Sequence, residues 1–267
     1  MTTERFARQS FLGADSQDRI ARCTVGVAGL GGGGSHVVQQ LAHIGFQRYV
    51  IYDADVVEES NLNRVVAAKS VDVAAETPKL HIAKMMIYGL QARASVRGYA
   101  CRWQDNPEPL RECHIVLGCV DSYQGRHELE VASRRYLMHY IDIGMDVHGD
   151  SPPVIGGQVV LSSPGGPCMR CVGFLTDDRL REEAARYGKA GARPQVVWPN
   201  GVLASAAVGL AIDLATDWTR RPLTHEYLVY DGNTGEVKRS LTLRKFEFRG
   251  CPHFPDDEVG DPVAVEL

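Results

Sequence analysis

Residues 24–55 read TVGVAGLGGGGSHVVQQLAHIGFQRYVIYDAD, and this stretch decides the architecture. Thr24 to Ala28 is a short apolar run of the kind that forms a buried strand. A glycine loop follows, with Gly29, Gly31 and Gly34 in G-x-G-x-x-G spacing and Gly32 between them. Ser35 to Ile44 has the pattern of a helix, with Val37, Val38, Leu41 and Ile44 on one face and Gly45 at its stop. Tyr49 to Tyr52 is a second strand, and Asp53 stands at its end. An acid about 20 residues beyond the glycines, in a strand–loop–helix–strand unit, is the arrangement that binds nucleotides. The glycines let backbone approach phosphate, the helix start aims unpaired N–H groups at it, and Asp53 can accept hydrogen bonds from a ribose.

The chain has 267 residues, enough for one large domain, and 44% hydrophobic residues supply a sizeable core. A net charge of −4 and a pI near 6.1 give no global reason to expect nucleic acid. No apolar run is expected to reach the roughly 20 residues that a membrane helix needs, and MTTERFARQS lacks the pattern of a secretory leader. The expected location is cytoplasmic. Seven cysteines make an odd set, and in a cytosolic chain they point to metal, catalysis or burial rather than to a disulfide framework.

Outward from the opening unit, residues 1–22 read as an N-terminal helical arm with Phe6 and Phe11 packed. Arg5 and Arg8 there are either solvated or within reach of a phosphate. After Asp53 come Asp55 and the run Ser60-Asn61-Leu62-Asn63-Arg64, a solvated loop or a polyanion clamp. A helix is expected from Pro78, capped by Thr77. It places Lys79 in its first turn, where a cation opposes the helix dipole; Lys79 is either a surface lysine or a phosphate ligand. Strands are expected over 95–100 and 115–120. Asp121, just past the second of these, faces the crevice where parallel sheets bind ligands, either holding Mg²⁺ or capping the helix over 123–138. Cys119 reads as packing, and Cys23, Cys101 and Cys113 carry no motif.

A strand over 139–143 is followed by a loop, GDSPPVIGG, and a strand over 158–162. Cys168 and Cys171 then stand in C-x-x-C spacing, which suits tetrahedral zinc or a redox pair; Cys251 and His253 are the available further ligands. Residues 173–199 read as a loop or short helix. Asn200 is placed to cap a buried helix from Gly201 to about Trp218. Residues 225–230 and 236–248 form a hairpin through Gly232-Asn233-Thr234-Gly235, and the tail from Pro255 reads as loose.

The cations Arg64 and Lys79 with the acid Asp121 suit a triphosphate with Mg²⁺ better than a nicotinamide. No Walker lysine follows Gly34, so the reading is ATP on a Rossmann-type loop. The fold class is therefore α/β: a Rossmann-like, mostly parallel sheet with helices on both faces. Antiparallel strands extend it, and zinc would pin its C-terminal region.

With these motifs in order, the chain resembles the ThiF/MoeB/HesA family, the bacterial relatives of ubiquitin-activating enzymes, from about Arg5 to His253. The resemblance rests on Arg5-Phe6-Ala7-Arg8-Gln9, the loop Gly29 to Gly34, Asp53-Ala54-Asp55, Ser60 to Arg64, Pro78-Lys79, Cys119-Val120-Asp121-Ser122 and Cys168-Met169-Arg170-Cys171. It implies an adenylation domain over 23–254 between the arm (1–22) and the tail (255–267). It implies ATP·Mg²⁺ and a ubiquitin-like, β-grasp protein ending in Gly-Gly, whose C-terminal carboxylate becomes an acyl-adenylate as pyrophosphate leaves. By motif position Asp53 would hold the ribose, with Gly29, Gly31, Gly32, Gly34 and Asp55 around the nucleotide. Asn61, Asn63, Arg64 and Lys79 would hold the phosphates and Asp121 the Mg²⁺. Arg8 would be supplied across a homodimer, a kind of contribution worth about 10³–10⁵ in rate.

Two departures stand out. Phe254 occupies the place of the family's last zinc cysteine, so His253 would complete the Zn²⁺ site or the site is weakened. From Val172 to Gly250 there is no cysteine to form a thioester, so the chain is closer to the MoeB mode, which stops at the adenylate and leaves a sulfur-transfer or conjugating protein to collect it. Ser205 is an alternative oxyester nucleophile, with a structural role favoured. Other readings are adenylation of a peptide or a modified tRNA base, and a non-catalytic subunit of a heterodimeric activator.

Overall fold

The computed structural model describes residues 4–149, 151–185, 194–244, 250–254 and 260. Eight strands form one sheet: β1 (Thr24–Ala28), β2 (Arg48–Tyr52), β3 (Ser95–Tyr99), β4 (Ile115–Gly118), β5 (His139–His148), β6 (Val154–Ser162), β7 (His225–Asp231) and β8 (Glu236–Arg239). Their order is β3-β2-β1-β4-β5-β6-β7-β8. The first five run parallel, and β6, β7 and β8 are added antiparallel. The direction of winding reverses between β1 and β4, so a crevice opens beyond the carboxyl ends of those two strands.

The helices are α1 (Ser16–Arg22), α2 (Gly32–Ile44), α3 (Ser70–Ala74), α4 (Lys79–Leu90), α5 (Tyr123–Arg135), α6 (Asp177–Ala185), α7 (Val197–Thr216) and α8 (Leu241–Arg244). Strand alternation sorts the core into two layers. Val25, Val27, Ile115 and Leu117 pack with Val37, Leu41, Ile87 and Leu203 of α2, α4 and α7. Val50, Val116 and Tyr140 face the other way and pack with Leu129 of α5 and with Met169, Val172 and Phe174. Each such buried aliphatic side chain contributes about 1.5–3 kcal/mol, which explains why β1 is buried at all five positions. Gly45 closes α2 with φ +111°, a conformation open to glycine.

Several boundaries differ from the sequence reading. Helix α2 starts at Gly32, so three of the loop glycines form its first turn. The segment GMDVH continues β5, and VIGG belongs to β6; the two pair from Tyr140↔Ser162 to His148↔Val154, because cross-strand bonds override the glycine and proline content. The β4 strand ends at Gly118 and α5 at Arg135. Pro78, not Thr77, occupies the cap position of α4. The strand expected over 236–248 stops at Arg239 and gives way to α8; residues 245–249 lie outside the described residues. The region 173–199 contributes α6, with 186–193 also outside the described residues. The N-terminal arm is a 3-10 turn, Glu4–Leu12, followed by α1. Of the tail from Pro255, only Gly260 is described.

Helix α7 corrects two expectations. It starts at Val197, so Asn200 lies inside its first turn rather than capping it, with Nδ2 donating to the Val196 carbonyl at 2.9 Å. It is also a 20-residue helix of mean hydropathy 1.4, long and apolar enough to cross a membrane. Here it packs against α1, α2, β5 and β6 as a core helix.

Candidate nucleotide site and cysteine–histidine knuckle

A cavity of about 560 Å³ opens at the crevice between β1 and β4. The glycine loop forms one wall. Gly29 has φ +88°, and a Cβ there would stand 2.7 Å from the Cys119 carbonyl oxygen. A Cβ on Gly34 would overlap the Gly29 carbonyl oxygen, so this glycine sets helix-to-loop packing and does not line the cavity. Gly29, Gly31, Gly32 and Gly33 do line it.

Asp53 enters from the end of β2. Its Oδ2 accepts from the Leu30 N–H at 2.6 Å, and its Oδ1 accepts from the Asp55 N–H at 2.8 Å. Burial pushes its carboxyl above the usual range, against the pull of those two donors and of Lys79. The carboxylate thus locks the glycine loop to β2 while still lining the cavity.

Asp55 and Lys79 form an ion pair at 2.7 Å, with Asp55 69% exposed and Lys79 10%. That pair offsets the unfavourable position of a cation at the start of α4. Arg64 lines the same cavity, its Nη1 donating to the Ser60 carbonyl and to Asn63 Oδ1. Asn61 is buried at the cavity wall and closes its own turn, with Oδ1 accepting from the Glu58 N–H at 3.1 Å. Asn63 is not part of the wall; its Nδ2 donates to the Gln195 carbonyl at 3.0 Å. Ser35 ties the clamp to α2, accepting from the Val66 N–H at 3.0 Å.

Asp121 lines the cavity on the other side. The cap of α5 is Ser122, whose Oγ accepts from the Gly125 N–H at 3.0 Å, so helix capping does not account for Asp121. Arg8 is exposed on the N-terminal turn and does not line the cavity of its own chain. Ser205 is exposed, bonds to the Gly201 carbonyl at 2.8 Å and lies outside the cavity wall, which corrects its placement as a buried residue. Burial pushes the Cys119, Cys23 and Cys113 thiols up to about 12, consistent with packing roles.

Asn200, Trp103 and Arg126 are among the lining residues that the sequence reading missed. Asn200 stands over the glycine loop, its Nδ2 2.6 Å from where a Cβ on Gly32 would be. Trp103 lines the β3 side. Arg126 lines the β4–β5 side and pairs with Asp142 at 2.5 Å. Only the spacing of Arg126 from Asp121, one helical turn into α5, could have flagged it.

Away from the cavity, Cys168, Cys171, Cys251 and His253 bring their ligand atoms within 4.8 Å of one another. The Cys168–Cys171 and Cys171–Cys251 sulfur distances are 3.6 Å, and His253 Nδ1 lies 3.4 Å from both Cys168 and Cys171 sulfurs. A tetrahedral zinc site with metal–sulfur bonds of about 2.3 Å has sulfur–sulfur edges of about 3.8 Å, so the four groups fit Zn²⁺. His253 would take the fourth position. Phe254 instead lays its ring 5.0 Å from the Arg134 guanidinium carbon. Buried Arg134 in turn donates to the Gly166 and Pro167 carbonyls at 3.0 Å, and buried Glu130 accepts from the Met169 N–H at 2.8 Å. Side chains of α5 thus hold the C-x-x-C loop just before Cys168 and between the two cysteines.

The family model for ThiF matches residues 4–252. The chain belongs to the ThiF family. Among ThiF relatives, the sulfur carrier protein adenylyltransferase of Thermus thermophilus is 28% identical over 248 residues, covering 91% of this chain and 88% of its own. The sulfur carrier protein ThiS adenylyltransferase of Escherichia coli K12 is 27% identical over 258 residues, covering 93% of each. This ThiF chain is a nucleotidyltransferase like them. In solved structures, E. coli MccB with ATP superposes with TM-score 0.71 at 19% identity, covering 90% of this chain and 71% of MccB. PaaA gives TM-score 0.68 at 18% identity, covering 89% and 82%. Both likenesses bear on the fold.

Proposed function

We propose that the chain adenylylates the C-terminal carboxylate of a ubiquitin-like sulfur carrier or modifier protein, using ATP·Mg²⁺ and releasing pyrophosphate. The observation that carries this reading is the convergence of Asp53, Asn61, Arg64, Lys79 and Asp121, from four separate segments, on one cavity beside a glycine loop. A carboxylate oxygen attacks the α-phosphorus; the bond from that phosphorus to the bridging oxygen breaks, and its electron pair leaves with pyrophosphate. Asp53 receives the ribose hydroxyls. Lys79 leaves Asp55 for the phosphates, and Arg64 meets them from the facing loop, offsetting charge that grows on the leaving group. Asn61 keeps the Arg64 loop in shape, and Asn63 ties it to Gln195. Asp121 would hold Mg²⁺, which when bound neutralises phosphate charge.

Arg8 reaches the site from a second copy of the chain in a homodimer, consistent with its exposure and its absence from its own cavity wall. The Cys168, Cys171, Cys251 and His253 set holds a structural Zn²⁺ that closes the end of the chain onto the C-x-x-C loop. With no cysteine between Val172 and Gly250, the enzyme stops at the adenylate in the cytoplasm, and a sulfur-transfer or conjugating protein takes the acyl group. ATP–pyrophosphate exchange in the presence of a Gly-Gly-ended carrier tests the reading. Exchange that needs both ATP and carrier, and that is lost in Arg64→Ala and Asp121→Ala, supports it. Exchange that survives both substitutions overturns the site.

A further inference from the structure

Arg126 is 7% exposed, sits one turn into α5 and lines the nucleotide cavity. Its Nη1 donates to Asp142 Oδ2 at 2.5 Å and to the Ile143 carbonyl at 3.1 Å. Asp142 is fully buried, and it also accepts from Tyr140 Oη at 3.1 Å and from Gln158 Nε2 at 3.4 Å. The guanidinium is therefore fixed in orientation by one of its nitrogens. Its Nη2 has no acceptor among the described residues. It lies across Gly144, 2.6 Å from where a Cβ would be, so the strand must lack a side chain for the guanidinium to lie there.

The position within the cavity matters as much as the pairing. Asp53 ends β2, and Ile143, Gly144 and Met145 belong to β5, three strand spacings or about 14 Å across the sheet. A nucleotide with its ribose on Asp53 and its phosphates on the glycine loop occupies the β2–β1 side. The β5 side is left for the acceptor. Among the described residues that line the cavity beyond β4, Arg126 is the one cation. An attacking carboxylate must approach a polyanion, and a fixed guanidinium offers it both charge and a directed donor.

We infer that Arg126 takes up the carboxylate of the incoming polypeptide. Its Nη2 donates to the carboxylate oxygen that does not attack, which turns the other oxygen toward the α-phosphorus. Asp142, Tyr140 and Gln158 are positioning residues that hold the guanidinium. The pocket selects a free C-terminal carboxylate over a carboxamide. This assignment rests on the adenylylating role proposed above.

The test uses a ThiS-type carrier protein ending in Gly-Gly, and the same carrier with a C-terminal carboxamide as competitor. With the unaltered enzyme, the carboxylate carrier drives pyrophosphate exchange and the carboxamide competes poorly. Arg126→Lys keeps the charge but loses the fork, and is expected to lower kcat/KM for the carrier roughly 10- to 100-fold, the scale of one charged hydrogen bond. The double variant Arg126→Gln with Asp142→Asn removes both charges and keeps partners for Tyr140 and Gln158. It is expected to fold, to bind ATP with unchanged Kd, to raise the carrier KM more than about tenfold, and to lose its preference for carboxylate over carboxamide. A folded double variant with unchanged carrier KM and preference overturns the inference, as does one whose ATP affinity falls in parallel. If the double variant does not fold, an Arg126→Lys enzyme with unaltered carrier kcat/KM overturns it equally. Absence of exchange in the unaltered enzyme removes the adenylylating role itself and this inference with it.

Discussion

At the nucleotide cavity, polar groups face open space and hold one another through contacts that can be exchanged: Lys79 rests on a carboxylate that is 69% exposed, and Arg64 rests on a backbone carbonyl and an amide. At the knuckle, four ligand atoms crowd within 4.8 Å, and the loop that carries two of them is fastened by buried Arg134 and Glu130. The contacts of the first region can be exchanged for others at little cost in stability. The second is arranged to keep its geometry. The difference separates what substitutions should do: changes at the cavity should cost rate with little stability, and changes at the knuckle the reverse.

The sharpest way to break that contrast is to remove the metal. Purified protein should carry about one zinc per chain, and ejecting it, or making Cys168→Ser, should lower Tm by more than about 10 °C because a structural zinc contributes folding free energy directly. ATP affinity at temperatures well below the transition should be unaltered. Metal analysis with calorimetry and nucleotide titration reads all three. A zinc-free protein of undiminished Tm would remove the knuckle from the account.

Next in size is Arg64→Ala, expected to cut exchange by about 10²–10³ while Tm moves by less than about 2 °C, since this half-buried arginine bonds only within its own loop. Kinetics and calorimetry on one preparation check the split. Gly34→Ala should do the opposite just behind the cavity wall. Its Cβ would meet the Gly29 carbonyl oxygen, and such overpacking costs about 1–3 kcal/mol or more, read as a lower midpoint in urea denaturation. A Gly34→Ala protein as stable as the parent would show that α2 can back away from the loop.

The smallest effect is a pH slope. Burial holds His36 below the usual histidine value, and its Nε2 has no partner among the described residues. The unfolded chain takes up a proton near pH 6.5, whereas the folded chain resists it. Stability is therefore retained above that pH and lost as pH falls below it, by at most about 1.4 kcal/mol per unit for one histidine. His36→Gln should make the urea midpoint fall less steeply between pH 6.5 and 5, with the other buried histidines keeping some slope.

Much of the cavity was legible because its parts obey local rules. The glycine spacing, the acid after β2 and the acid after β4 sit at strand ends, and a parallel sheet brings strand ends together whatever the rest of the chain does. Asn200 and Arg126 were not legible as site residues. Each lies inside a helix, where its spacing suggests capping or surface, and only the packing of α7 over the glycine loop and of α5 beside β5 carries them to the cavity. The β5–β6 hairpin was hidden for a related reason: its glycines read as loop, yet Gly144 faces the Arg126 guanidinium and Gly157 faces Leu203, and both positions need the missing side chain. The candidate metal ligands were readable as residue types; that His253 joins the three cysteines follows from its 3.4 Å approach to two sulfurs, which no spacing rule supplies.

The central claim is that the crevice between β1 and β4 receives ATP as a substrate for carboxylate activation. Crystals soaked with a non-hydrolysable ATP analogue and Mg²⁺ test it most directly. The account predicts the ribose hydroxyls on Asp53, the phosphates between the glycine loop, Arg64 and Lys79 with the Asp55 pair broken, and a metal at Asp121. A cavity that stays empty at millimolar nucleotide, or that takes up a nicotinamide dinucleotide instead, would contradict it.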